Sequence, residues 1–462
     1  MRFLVALAAL AVAAVPAVAF SGSSGTDYAR FGFDTARHGA APAGGLTAAT
    51  VGKLVRRQVQ LDGTVDSSPI YLHGVTVQGK KHDVFFVTTT YGRTEAIDAV
   101  SGSVLWRFTP ASYDSLAGSP QITNASPVAS TDRSAIYAAA PDGKIRELRV
   151  SDGKVLWETS ITRDPTHEKM TSSLNVSRGM VVMTTGGYIG DAPPYQGHVV
   201  TLSEKTGAIL HVWNSLCSNR RGLITPSTCD ASDSAIWSRN GAAVDPATGD
   251  LVVATGNAPW NGSTNWGDSV LVLSPDASKL LRHWTPTDTQ HLNETDLDLG
   301  STSPALLAGG YAVQGGKDGK LRLLRLSSLP GVNAKLGGEL QTVPTPGGAP
   351  LFSEPAVWNG TWVFVSDLSG TKAWRLRGSR LVAAWSNDNG GTSPVVAGSL
   401  VFVAGSGAIH VYAATSGHQV ASLPFGSELH WQSPIVADGR IAVAEGNAND
   451  HATTGVLDIY RR

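Results

Sequence analysis

A serine–proline pair, intact or degenerate, recurs at eight places along this chain, and each copy opens a short apolar stretch punctuated by glycine. Ser68-Pro69, Ser126-Pro127, Ser303-Pro304, Ser393-Pro394 and Ser433-Pro434 are intact; Ser172-Ser173-Leu174, Ser238-Arg239-Asn240-Gly241 and Ser353-Glu354-Pro355 fill the gaps between them. A repeat of roughly 40 to 65 residues matches a unit of four short strands, which cannot bury both of its faces alone and must stack on its neighbours. The pattern predicts an all-β chain: an eight-bladed β-propeller of four-stranded antiparallel blades.

Within each unit the same grammar returns. A short strand and a small turn precede a β-branched or aromatic run such as Val84-Phe85-Phe86-Val87 or Trp362-Val363-Phe364-Val365. Several units close on tryptophan, most clearly the segments ending at Trp106 and Trp157, and more loosely those ending at Trp213, Trp284 and Trp385. Apolar runs this short, bounded by Gly, Pro, Asp and Ser, read as strands packed on both faces. No stretch sustains a helical period.

The two ends of the chain complement each other. The last unit stops at Val456-Leu457-Asp458-Ile459-Tyr460, one strand short, while Leu54 to Leu61 forms a strand with no unit before it. Pairing them completes the eighth blade and removes two open sheet edges. Length alone would suggest about three domains. The repeat instead predicts one propeller over 53–462, a lead-in over 20–52 and a leader over 1–19.

That leader, Met1-Arg2 followed by an Ala/Val/Leu run ending at Ala17-Val18-Ala19, has the charge, length and small-residue exit of a secretory signal. No cysteine follows it to carry a lipid, and no later apolar run is long enough to span a bilayer. The expected location is therefore secreted or periplasmic. A net charge of -1 without a Lys/Arg cluster argues against nucleic acid as a partner. In an exported chain the 2 cysteines, Cys217 and Cys229, are expected to form one disulfide across a polar loop. Their spacing is not Cys-x-x-Cys-His, so they offer no covalent haem attachment.

The least repetitive stretch lies between the fourth and fifth units. It holds Gly256-Asn257-Ala258-Pro259-Trp260-Asn261, then Glu294-Thr295-Asp296-Leu297-Asp298-Leu299-Gly300, then Gly316-Lys317-Asp318-Gly319. In order and interval these resemble motifs of the quinoprotein alcohol dehydrogenase family, eight-bladed propellers that hold pyrroloquinoline quinone and calcium at the axis. The resemblance extends over nearly all of the chain beyond the leader, including Tyr28-Ala29-Arg30-Phe31-Gly32-Phe33-Asp34.

The resemblance implies a role for each motif. Asn257 matches an asparagine that gives its oxygen to calcium and touches the cofactor. Asp296 falls where the family has its catalytic carboxylate, here preceded by Thr295 rather than tryptophan, and is expected as general base beside the metal. Lys317 matches a cation at the quinone oxygens, and Trp237 a stacking tryptophan. The chemistry suits these residue types: calcium prefers oxygen ligands, a carboxylate can take an alcohol proton as hydride leaves, and a lysine stabilises charge on the reduced quinone. An alcohol or sugar would be oxidised, and the electrons would pass to a separate acceptor.

One departure concerns the metal. A glutamate ligand of the family, from a Gly-Ala-Glu-like turn, is absent from Gly186-Gly187-Tyr188-Ile189-Gly190-Asp191, where Asp191 is the available substitute. The same residues also suit plainer roles. Gly446-Asn447-Ala448 echoes the Asn257 motif as a strand-end turn; Asp296 and Asp298 could cap backbone in loops; Lys317 could be solvated; Trp237 could be structural. A propeller without catalysis, binding a protein or envelope glycan through its rim loops, is the alternative. No Gly-x-Ser-x-Gly or His-Glu-x-x-His element supports a hydrolase.

Overall fold

The computed structural model describes residues 25–426, 430 and 432–462, so the leader read over 1–19 lies outside the described residues. Eight sheets, each built on four antiparallel strands and two of them carrying a fifth, follow one another around an axis, an eight-bladed β-propeller. The first blade consists of Ile70–Val77, Lys80–Thr88, Thr94–Asp98 and Val104–Phe108. The eighth takes Ile435–Ala437, Arg440–Glu445 and Gly455–Arg461 from the end of the chain and Val55–Leu61 from its beginning. That closing strand runs antiparallel to its partner from Val55 opposite Arg461 to Leu61 opposite Gly455. Arg56 reinforces it through an ion pair with the buried Asp458 at 2.8 Å and another with Glu445.

The serine–proline repeat has a physical cause that the sequence does not reveal. All eight openers sit just before the innermost strands, and their polar groups form an unbroken hydrogen-bonded ring around the axis. Ser68 N–H donates to Ser126 Oγ at 2.8 Å, and Ser126 O accepts from Leu174 N–H at 3.2 Å. Arg239 O accepts from Ser173 N–H at 3.0 Å, and Ser238 and Ser303 share a bond of 2.6 Å between hydroxyls. Ser303 N–H donates to Glu354 Oε2 at 2.9 Å and Glu354 N–H to Ser393 Oγ at 2.8 Å. Ser433 Oγ donates to Ser393 O at 3.1 Å, and Ser68 Oγ to Ser433 O at 2.8 Å, closing the circle. A small hydroxyl donates and accepts in one place, which buried backbone at a crowded axis requires. Where serine–proline is lost, as at Arg239 and Glu354, an ionisable side chain faces the axis instead.

The tryptophans serve the next level of packing. Trp106 of the first blade donates Nε1–H to Val150 O at 2.8 Å and lies under the turn of the second, where a Cβ on Gly153 would meet the ring at 2.6 Å. Trp157 against Gly207 and Trp385 against Gly417 repeat the arrangement. These glycines have φ near 70° and flat contact with an indole, two demands only glycine meets together. Apolar clusters fill the interfaces between successive blades, such as Ile70, Phe86, Trp106, Ile136 and Leu148 between the first and second. The closing interface, Val59, Tyr71, Phe85, Leu457 and Ile459, is built like the rest.

The lead-in plugs one end of the axis. Tyr28 bridges Tyr71, Ala40–Ala41 runs parallel to Val396–Ala397, and the buried Arg37 donates to the carbonyls of Phe31, Ser173 and Leu174 at 2.6 to 2.9 Å. Cys217 and Cys229 form the expected disulfide across the connection between the third and fourth blades. The two cysteines are separated by 12 positions, and a closed loop of this length should contribute about 3 kcal/mol. A Cys229→Ser variant is expected to lower stability by that order, read as the shift of the urea midpoint relative to the oxidised protein.

Candidate functional site

At the end of the axis opposite the lead-in, the loops before the innermost strands surround a cavity of about 290 Å³. Four of the residues singled out in the sequence, Asp191, Trp237, Asp296 and Lys317, line it together. They come from the third blade, the opener of the fourth, the fourth-to-fifth connection and the fifth blade. Asn257 stands directly behind the wall, its backbone N–H donating to Asp298 Oδ1 at 2.8 Å. Its side-chain amide makes no hydrogen bond among the described residues, unlike Asn447, whose Oδ1 accepts from Asn449 N–H at 3.0 Å. The two Gly-Asn-Ala turns therefore differ in the one group that could hold a ligand.

Lys317 Nζ lies 2.8 Å from Asp296 Oδ1 and 2.9 Å from Asp298 Oδ2. The two carboxylates are not alike: the side chain of Asp296 is 63% exposed and that of Asp298 only 6%. Burial raises Asp298 above the usual carboxylate range, and Lys317 offsets this only in part. Burial works against the Lys317 charge, but Asp298 and Asp296 outweigh it and raise its pKa. A desolvated carboxylate beside a fixed ammonium is a base whose proton affinity is tuned upward. Asp298, which reads in the sequence as a plausible turn residue, is the buried member. The turn geometry belongs to Asp296, with φ of 55°.

Trp237 and Phe352 form an aromatic wall with ring centroids 6.2 Å apart, and Lys317 Nζ lies 5.5 Å from the Trp237 ring. Gly256 lets Trp237 and Asp298 meet: a Cβ there would sit 3.2 Å from Asp298 Oδ1 and 3.4 Å from Trp237 Nε1.

The opposite wall is cationic, and sequence reasoning missed it. Lys169 and Arg239 line the cavity with Asn124 and His430. Arg239 is fixed by the fully buried Asp66, which it meets at 2.9 Å and which also pairs with His430 Nδ1 at 2.6 Å and accepts from Asn124 Nδ2 at 2.9 Å. Burial raises Asp66, but Arg239 and then His430 hold it below the ordinary carboxylate value. Lys169 is only 7% exposed and has no ion pair or side-chain hydrogen bond among the described residues. Burial, with Arg239 adding repulsion, brings it down to about 7. A buried ammonium that faces a cavity and has no ion-pair partner among the described residues, with only the more distant Asp66 attracting it, is a seat for an anion. The visible signal was the opener itself: at Arg239, as at Glu354, the repeat puts an ionisable residue where its other copies put proline or a small residue.

Among the described residues the donors for a metal do not assemble. Asp191 Oδ1 accepts from Tyr195 OH at 2.8 Å, and Asp298 is held by Asn257 N–H and Lys317. Gly187 has no room for a ligating side chain, since a Cβ there would lie 2.6 Å from the Tyr195 ring. Among the described residues no group of three or more His, Cys, Asp or Glu is arranged to hold a metal ion. A planar polycarboxylate does fit, with an aromatic wall for its face and Lys169, Arg239 and Lys317 for its edge.

A family model described as outer membrane protein assembly factor BamB matches residues 43–226 and 95–270. Quinohemoprotein alcohol dehydrogenase ADH IIB of Pseudomonas putida is 24% identical over 276 residues, which are 52% of this chain and 38% of that protein. The chain thus spans well under half the length of this relative. Among solved structures, quinohemoprotein alcohol dehydrogenase from Comamonas testosteroni superposes with a TM-score of 0.69 at 17% identity, covering 94% of this chain and 80% of the other. A europium-containing methanol dehydrogenase gives 0.68 at 14% identity, covering 94% and 98%.

Proposed function

We propose that this chain, whose sequence and fold are similar to those of quinoprotein alcohol dehydrogenases, is an exported oxidoreductase. Its axial cavity would hold pyrroloquinoline quinone and oxidise the hydroxyl of an alcohol or sugar. The observation that carries this reading is the pairing, in one cavity, of an unpartnered buried Lys169 with the Lys317–Asp298 centre. The leader over 1–19 supports export. No helix of the described residues is long and apolar enough to cross a membrane.

When bound, the quinone supplies a centre that accepts two electrons as hydride. The residues supply the rest. Lys169 and Arg239 neutralise carboxylates, and Trp237 with Phe352 provides apolar surface for a flat ring. Asp298 Oδ2 takes the hydroxyl proton of the substrate, a role that its raised proton affinity suits and that exposed Asp296 fills less well. Lys317 Nζ keeps Asp298 ionised enough to act and places positive charge where negative charge develops. The electrons then leave to a separate acceptor.

The relatives imply a metal beside the quinone, calcium being the ion the sequence motifs suggest, but among the described residues no donor set for such an ion is assembled. Titrating the quinone into metal-stripped protein is expected to show micromolar or tighter binding that calcium strengthens by less than about tenfold. A strict calcium requirement would mean that Asp191 leaves Tyr195 to become a ligand. Absence of quinone binding with and without calcium would overturn the reading in favour of a rim-binding propeller.

A further inference from the structure

We propose that a second cavity, between the sixth and seventh blades, receives the body of a neutral polyhydroxylated substrate, a sugar or polyol whose reacting hydroxyl lies beside Asp298. The proposal rests on the quinone reading for its chemistry but not for its binding site. This cavity has a volume of about 380 Å³ and shares Phe352 and His430 with the axial one, so the two adjoin. A volume of this order holds an organic ligand of several rings or a short chain.

The lining determines the ligand class. Asp367, Asp388, Asn389, Thr392 and His410 provide carboxylate, amide, hydroxyl and imidazole groups, and among the described residues no lysine or arginine lines the cavity. It is therefore the electrostatic opposite of the anion seat beside it. Thr392, only 4% exposed, has a hydroxyl with no hydrogen-bond partner, and the buried Nδ1 of His410 also has none. Unsatisfied buried polar atoms are uncommon in folded proteins, and two in one cavity wall point to a ligand that both donates and accepts. Sugar hydroxyls do both.

A cation is the weaker choice. The oxygens of Asp367 already accept the N–H groups of Ser369, Gly370 and Gly347 at 2.7 to 2.8 Å, leaving Asp388 as the one uncommitted carboxylate among the described residues of the lining. Phe352 and Leu368, the latter 76% exposed, add apolar surface of the kind that packs on the C–H faces of a sugar. The backbone of Asn389 is fixed by its N–H to Asn387 Oδ1 at 2.9 Å and its side chain by Tyr412 OH at 2.9 Å, so the wall is ordered before a ligand arrives.

The test has two arms. Saturation-transfer NMR on the purified protein without added cofactor, with sorbitol and maltotriose as probes and ethanol as control, should show transfer to the two polyols, lost in Thr392→Val and Asp388→Ala. In quinone-loaded protein the same variants should lower the ratio of kcat/KM for sorbitol to that for ethanol by at least about tenfold. No transfer in the wild type, or equal transfer in the variants, would overturn the annex. Polyol transfer without any quinone binding would overturn the quinone reading and leave the annex standing. Transfer from spermidine in place of the polyols would reassign the cavity to cations.

Discussion

Asp298→Asn is expected to reduce kcat of the quinone-loaded protein by about 10²- to 10⁴-fold, the range that a positioned general base contributes, while Asp296→Asn costs less than about tenfold. The two variants remove the same charge two residues apart, and both carboxylates touch Lys317. They differ in solvation. Asp296 is largely in water, where an ion pair contributes little, whereas Asp298 is desolvated and its carboxylate cannot be replaced by solvent. Asparagine keeps an oxygen to accept from Asn257 N–H, so the wall should stay in place. Dye-linked turnover across pH checks the assignment. A base raised by burial must lose its proton to act, so kcat/KM should rise with pH through a limb lying above the ordinary carboxylate range, and Asp298→Asn should abolish that limb. A larger loss in Asp296→Asn than in Asp298→Asn would return the role to Asp296.

Lys169→Met should move two quantities in opposite directions. Quinone affinity is expected to fall by about 10- to 100-fold, since a charge-assisted hydrogen bond to a carboxylate contributes about 1.5–3 kcal/mol. The cofactor-free protein should become more stable, because methionine fills a similar volume without an unpaired buried charge. A purely structural lysine would lose stability on the same change. The pH dependence carries the same sign. With the folded pKa at about 7 and the ordinary value at 10.5, the unfolded chain binds more protons than the native one between these limits. Stability of the cofactor-free protein should therefore rise with pH across that window, and the rise should shrink in Lys169→Met. Quinone binding, which needs the ammonium, should weaken over the same interval and take up a proton. Thermal melts and titrations in buffers of different ionisation enthalpy read both.

Trp237 and Lys317 line one cavity, with Asn257 behind its wall, because each belongs to a turn whose place in its blade is set by the repeat. Asp298 was not separable from Asp296 on the same grounds. Which of two carboxylates two residues apart is buried depends on a short helix, Thr289–Glu294, and on contacts with Asn257 and Lys317 from other segments. Lys169 was less legible still: in sequence it is a lysine beside a methionine, and its isolation arises from strands that neighbour it only in space.

By itself the sequence determined the propeller, its number of blades and its closure, because those follow from a local period and from strand edges that must be paired. The ring of serines, the glycines under tryptophan and the joining strand Val55–Leu61 are local patterns repeated until they close. Only the tertiary structure decided the chemistry. Burial, charge separation and missing partners are properties of a residue's surroundings, and at the axis those surroundings are assembled from loops up to several hundred positions apart, as where Asp66 meets Arg239 and His430.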